Sequence, residues 1–190
     1  MKNIKKIFAI QGFTSSGKDT ITSRASKELN IPILISHTSR PARENEVDGI
    51  SYYFVDNDYF ENNDFLEERI YNTEYGVWRY GLSCNELIGK PYSLFIVDRQ
   101  GYEELQDKLG KDKLVSIFIK VEESELIKRQ ELRGDCKKEF ARRLEDDKKR
   151  FENYKSDYIV HNNELDLAIE YVKNIILSEI VKLEVKHDSK

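Results

Sequence analysis

"IFAIQGFTSSGKDT", residues 7–20, reads as a buried strand that turns through glycines into a helix. Ile7–Ile10 are apolar, and Gly12, Gly17 and Lys18 follow with the spacing G-x-x-x-x-G-K, the pattern of a phosphate-binding loop. Glycines let the amides of Thr14, Ser15 and Ser16 turn inward around an oxyanion, and the helix N-terminus adds partial positive charge. Lys18 is placed to neutralise phosphate oxygens. The position after Lys18, usually a Ser or Thr hydroxyl that holds magnesium, is Asp19, and Thr20 comes one residue later. One step along a helix turns a side chain by about 100°, so Thr20 is no simple substitute. Asp19 and Thr20 are both candidate metal ligands, a carboxylate being a hard oxygen donor suited to Mg²⁺.

Outward from this loop, short apolar runs alternate with helical patterns. "IFAI" (7–10), "LFIV" (94–97), "VSIFIKV" (115–121) and "YIV" (158–160) predict strands buried on both faces. Helices are expected from Gly17 to Leu29, from Gln100 to Leu109 with Gly110 closing it, and from a Ser124 cap toward Arg133-Gly134. In the third of these, Leu126, Ile127 and Leu132 are expected to face inward. A last helix over Leu165–Leu183 carries a stripe of Leu167, Ala168, Tyr171, Val172, Ile175, Ile176 and Ile180. The alternation predicts an α/β fold with a mostly parallel sheet. Residues 36–92 break it, and "SYYFV" and "VWRYGLS" suggest a small β-rich insertion.

The stretch "KKEFARRLEDDKKRFENY" has only Phe140, Leu144 and Phe151 as a thin apolar stripe. By itself it reads as a solvated helix with i,i+4 ion pairs, Glu139 with Arg143 and Glu145 with Lys149.

Composition narrows the class. At 190 residues, 39% hydrophobic and 35% charged, the chain has enough apolar sequence for one globular domain. A formal net charge of −4 gives no global electrostatic reason to expect nucleic acid or anionic membrane as partner. Cys84 and Cys136 sit in no C-x-x-C and read as reduced thiols of a cytoplasmic protein. The start "MKNIKKIFAIQG" is too short for a membrane span and lacks a cleavage site, so a first strand is expected there. His37, His161 and His187 have no metal-ligand spacing and read as structural or surface residues. Trp78 reads as local packing.

"SHTSRPARENEVDGISYYFV", residues 36–55, adds a second constellation. Arg40 and Arg43 flank Pro41, which excludes an ordinary helix interior. Two guanidiniums on a turning chain suit a dianionic phosphate through bidentate forks, and Glu46 is placed to brace one of them. Here the chain resembles the guanylate kinase family of nucleoside monophosphate kinases. Ser36, Ser39, Arg40, Arg43, Glu46, Gly49 and Tyr52 meet its acceptor-site signature. The resemblance continues through "FLEE" (65–68), "RYGLS" (79–83), "IVDRQG" (96–101), "IKRQELRGD" (127–135), "FARRLE" (140–145) and "YIVHNNELDLA" (158–168).

The resemblance implies a P-loop core with three layers (residues 1–35, 93–122 and 156–185), a GMP-binding insertion (36–92) and a helical lid (123–155). It implies transfer of a phosphoryl group from ATP to GMP with Mg²⁺, and it makes the charged helix part of the lid. Lys18 with Arg43, Arg133 and Arg143 would serve the transferring phosphates. Gly12, Thr14, Ser15, Ser16, Gly17, Lys18, Asp19 and Thr20 of the loop, together with Asn162, would take ATP, with Asn162 near the adenine. Arg40, Arg43, Tyr52 and Tyr80, with Glu46 behind them, would hold the GMP phosphate, while Ser36, Glu67 and Asp98 would face the guanine. A carboxylate can accept from both N1–H and the 2-amino group of guanine, whereas adenine leaves it poorly paired.

Three departures bear on the base. The segment after Glu67 is longer than usual, so both Glu67 and Glu68 are candidates for the guanine-facing acid. Leu82 stands where a Thr or Ser hydroxyl is expected near the base, and Ile96 replaces an acidic residue. Two alternatives stay open on the sequence: a kinase of the same fold for another (deoxy)nucleoside monophosphate, and a non-catalytic module of this family that binds proteins.

Overall fold

A computed structural model describes residues 4–73, 76–134 and 136–188. The first strand, β1 (Lys6–Gly12), is wholly buried and ends in the glycine loop that opens helix α1 (Lys18–Leu29). Strands β2 (His37–Thr38) and β3 (Tyr53–Phe54) follow, then the short helix α2 (Asn57–Glu61). Next come β4 (Phe65–Thr73), β5 (Gly76–Ser83) and β6 (Tyr92–Ile96). The remaining elements are α3 (Arg99–Leu109), β7 (Leu114–Lys120), α4 (Glu123–Arg133), α5 (Lys137–Arg150), β8 (Tyr158–His161) and α6 (Leu165–Asp188).

These strands form two sheets. One has the order β6-β1-β7-β8 and is parallel throughout. Alternation along β1 explains why both faces are apolar. Phe8 and Ile10 pack with Ile21 and Ala25 of α1 and Val172 and Ile176 of α6. Ile7 and Ala9 face the other way, toward Leu105 and Leu109 of α3 and Leu66 and Leu82 of the second sheet. The sheet thus lies between helices, as the apolar runs predict.

The second sheet has the order β3-β2-β5-β4. Here β4 and β5 form a long antiparallel pair from Phe65↔Ser83 to Thr73↔Gly76. That pair accounts for the extra length after Glu67.

Several helix expectations need correction. Ser124 does not cap α4: Glu122 holds the N-cap position without a side-chain cap bond, and Ser124 lies inside the helix. Leu126 is buried as expected, but Ile127 is half-exposed and Leu132 is exposed, because α4 packs through one narrow seam against Phe140 and Leu144 of α5. In α6, Ala168, Val172 and Ile176 are buried while Leu167 and Tyr171 point outward, so the buried stripe is narrower than the apolar one. Both expected ion pairs of α5 are present, Glu139 with Arg143 at 2.8 Å and Glu145 with Lys149 at 3.6 Å. Cys84 and Cys136 are free thiols. Among the described residues no helix is long and apolar enough to cross a membrane.

Candidate active site

The glycine loop is held open by its backbone. Gly12 and Gly17 have φ of 153° and 86°. A Cβ on Gly12 would lie 2.7 Å from the Ile119 carbonyl oxygen, and one on Gly17 would lie 2.6 Å from Asn162 Nδ2. Side chains are therefore excluded at both positions on two counts, conformation and space. Asn162 is buried behind the loop, donating from Nδ2 to the Ser16 carbonyl at 2.8 Å. Arg129 ties the same region together, donating to the Asn162 carbonyl at 2.8 Å. The structure thus makes Asn162 a buttress of the loop. Asp19 and Thr20 are exposed in the first turn of α1.

Beside β2, the two arginines of the 36–55 segment take different positions. Arg40 is buried and fully engaged: it donates to Tyr80 Oη at 3.0 Å, to the Pro41 carbonyl at 2.7 Å and to Glu46 Oε1 at 2.8 Å. Glu46 Oε2 accepts from the Arg43 backbone amide at 2.8 Å, so one carboxylate braces both. The Arg43 side chain is left to line the cavity, together with Tyr52 and Tyr80.

On β4 the pleat sends the two glutamates to different neighbours. Glu68 faces Arg79 on β5 and pairs with it, whereas Glu67 is buried and lines the cavity. Arg69, two residues on and therefore on the same face, lies beside Glu67 with 3.9 Å between guanidinium and carboxylate. It also pairs with Asp98 at 3.4 Å and Glu104 at 2.8 Å. Burial raises the Glu67 carboxyl to about 7, with Arg69 pulling it down and Asp98 and Glu104 pushing it up. Asp98 is the N-cap of α3: its Oδ1 accepts from the Gly101 amide at 2.8 Å, and its Oδ2 accepts from Arg150 at 2.9 Å. Leu82 is sealed in the core, and Ser83 turns to cap the next residues.

Helix α5 reaches into the same space. Asp147 Oδ2 accepts from the Thr14 amide of the glycine loop at 2.6 Å. Burial raises its carboxyl, opposed by the Thr14 amide and the charge of Lys18. Arg142 and Arg143 both donate to Glu139, and those bonds hold the Glu139 carboxyl down at about 2. Arg133 ends α4, and its side chain lies outside the described residues.

A cavity of about 970 Å³ joins these parts. Thr14 and Lys18 line it from the glycine loop; Ser36, Arg43, Tyr52, Glu67 and Tyr80 line it from the second sheet and its loops; Asp98 and Arg143 line it as well, whereas Gly12, Ser15, Ser16, Gly17, Asp19 and Thr20 are not among its lining residues. Arg40, Glu46 and Asn162 support it from behind. Arg69, Tyr71, Trp78, Arg142, Asp147 and Arg150 also line it and were not singled out by sequence reasoning as ligand contacts. Strand alternation from Glu67 was the available signal for Arg69 and Tyr71. Among the described residues no three His, Cys, Asp or Glu side chains gather as a metal cage.

This geometry can be set beside known proteins. The guanylate kinase family model matches residues 5–179. The chain belongs to the guanylate kinase family. It is 32% identical over 190 residues to a guanylate kinase of Agrobacterium fabrum, covering 95% of this chain and 86% of that one. A guanylate kinase of Hyphomonas neptunium is also 32% identical, over 89% of this chain and 81% of the relative. The crystal structure of a guanylate kinase from Anaplasma phagocytophilum superposes with a TM-score of 0.66 at 25% identity, covering 93% and 87% of the two chains. Family membership makes this chain a nucleoside monophosphate kinase by descent, with a parallel-sheet core and a phosphate loop of the P-loop kind.

Proposed function

We propose that the chain transfers the γ-phosphoryl group of ATP to GMP, giving ADP and GDP. One observation carries this: the glycine loop with Lys18, the Arg43 clamp and the buried Glu67 all open into one cavity. A donor phosphate and an acceptor can therefore meet without crossing solvent. Phosphoryl transfer needs alignment and charge neutralisation more than covalent help from the protein. In this reading Lys18 and the loop amides take the β- and γ-phosphates, and Arg43, Tyr52 and Tyr80 hold the acceptor phosphate. Arg40 and Glu46 fix the clamp from behind. Glu67 accepts from the guanine edge, with Ser36 and Asp98 nearby.

The lid arginines, Arg142 and Arg143, rest on Glu139 in this structure. They are positioned to exchange that partner for phosphate oxygens as the lid closes, a motion that also excludes water. For Mg²⁺ the donors are hard oxygens, as that ion requires, and they are few. Asp19 would offer a carboxylate and Thr20 a hydroxyl, with phosphates and water completing the shell. Bound there, the ion would supply charge neutralisation for the transferring phosphate.

The test is ADP release measured across GMP, dGMP, AMP, CMP, UMP and dTMP. Turnover favouring GMP supports the proposal. Equal turnover of several acceptors points to a broader kinase, and no turnover with any acceptor points to a binding module.

A further inference from the structure

We propose that Arg69 is a specificity-determining residue that donates a hydrogen bond to the carbonyl oxygen at position 6 of the guanine ring, beside Glu67. The inference rests on the GMP reading above. Guanine presents three groups in a row along one edge: an acceptor at C6, a donor at N1 and a donor on C2. A complementary wall needs one donor next to acceptors. The cavity has acceptors in Glu67 and Asp98 and one hydroxyl, Ser36, but the second hydroxyl that the family resemblance leads one to expect falls at Leu82, opposite Glu67 on β5 and sealed in the core.

Arg69 fills that gap by placement. It shares the cavity-facing side of β4 with Glu67, and its guanidinium stands 3.9 Å from the Glu67 carboxylate. Accepting and donating groups thus lie side by side, as the N1–H and C6 carbonyl of guanine require. Glu104 and Asp98 hold the guanidinium plane at 2.8 and 3.4 Å, which fixes its aim. Its Nη1 is taken up by the Glu68 carbonyl and Glu104, whereas Nη2 has only the longer contacts to Asp98 and Glu67, so Nη2 is the donor with capacity left for a ligand acceptor. Gly101 leaves room for the pair, since a Cβ there would lie 3.0 Å from Arg69 Nη2 and 3.1 Å from Glu67 Oε2.

A wall of this kind selects keto over amino at position 6. A 6-amino group meets a cation there and places a donor against a donor. The 2-amino group is read elsewhere, by the carboxylates.

The experiment compares wild type, R69K and R69M on GMP, IMP and 6-thio-GMP, with kcat/KM for each and the KM for ATP alongside. The sulfur analogue changes only the atom that Arg69 is assigned to contact and is a weaker acceptor. Loss of a charged hydrogen bond predicts that R69M lowers kcat/KM for GMP and IMP together, by about 10- to 100-fold. 6-Thio-GMP should fall much less, so the wild-type preference for GMP over it moves toward one. R69K, which keeps the charge but loses the planar fork, should fall between. Because the readout is a ratio of two acceptors, a general loss of folding does not imitate it. An unchanged ratio in R69M, whatever the overall loss, overturns the assignment and leaves Arg69 as a neutraliser of carboxylates. Failure of wild type to phosphorylate GMP at all is a separate result, which overturns the underlying reading and this inference with it.

Discussion

Asp147 of helix α5 and Thr14 of the glycine loop are joined by a hydrogen bond of 2.6 Å from the Thr14 amide to the carboxylate. An anion from the protein thus sits where the loop offers an amide to a phosphate, with the charge of Lys18 nearby. On the proposed reading, ATP has to compete with that carboxylate or push it aside. Substitution D147N removes the charge and is expected to tighten ATP binding by about 3- to 10-fold, since most of a charged hydrogen bond is returned when the displaced group meets water. Titration of Mg²⁺-free ATP into the purified protein measures it. Weaker binding in D147N would mean that Asp147 helps the nucleotide.

Burial of Glu67 gives stability a distinctive pH dependence. Its folded pKa, about 7, lies above the ordinary carboxylate value of 4.5. Between these values the folded protein binds a proton that the unfolded chain releases, so this group makes the fold more stable as pH falls through that window. Above about 7 the charged form costs up to about 3 kcal/mol, on the order implied by the shift. His37 pulls the opposite way, because burial depresses its pKa. The readout is therefore the difference between wild type and E67Q in urea unfolding of the ligand-free protein. E67Q should gain stability at pH 8 and little at pH 5; an equal gain at both would remove the charge argument.

How the sequence and structure relate can be followed through particular residues. The alternation of Ile7, Phe8, Ala9 and Ile10 dictates a two-faced strand, and the glycines after it dictate the loop, because each feature depends only on local sterics and burial. Arg43 and Glu46 were readable for the same reason, lying within one turn of chain. What was not readable is what Arg69, Asp147 and Arg150 meet, although strand alternation gives the face of Arg69. Their partners are Glu104, Thr14 and Asp98, far away in sequence, and a charged residue looks the same in a sequence whether solvated or buried against a distant carboxylate. The inward assignment of Leu132 failed in the converse way: apolar character stated a preference, and among the described residues no element packs over that end of α4 to satisfy it.

The contrast between Arg40 and Arg43 predicts unequal consequences. Arg43→Ala removes a cavity-facing charge and should raise the KM for GMP by about 10- to 100-fold, the range for loss of a charged hydrogen bond. The KM for ATP should change by no more than about twofold on the same reasoning. Arg40→Ala instead removes a buried guanidinium that ties Glu46, Tyr80 and the Pro41 carbonyl together, so it should also lower the thermal midpoint. Equal effects of Arg43→Ala on both substrates would argue against the clamp.

Asp19 sits in the first turn of α1, exposed and one residue beyond Lys18. Its carboxylate suits Mg²⁺ but repels phosphate, so Asp19→Ser should leave a working kinase with an altered Mg²⁺ requirement. Activity titrated against free Mg²⁺ at saturating ATP and GMP provides the measurement. Superimposable curves for the two proteins would make Asp19 a bystander.

Gly101 offers a test that leaves every charge in place. It lies in the first turns of α3, where Ala is ordinarily favoured over Gly by about 1 kcal/mol. Propensity alone would thus make Gly101→Ala stabilising. The new methyl group, however, would meet Val97 Cγ2 at 2.6 Å, Arg69 Nη2 at 3.0 Å and Glu67 Oε2 at 3.1 Å. Val97 belongs to the packed core, so the easier response is for the Arg69–Glu67 pair to be pushed outward into the cavity. The expected result is a rise of about 10-fold or more in the KM for GMP, from misplaced hydrogen-bonding groups. The KM for ATP should hold, because the glycine loop is untouched. A Gly101→Ala enzyme with unchanged GMP kinetics and a raised thermal midpoint would show that the pair has slack, and that its spacing is not what reads the base.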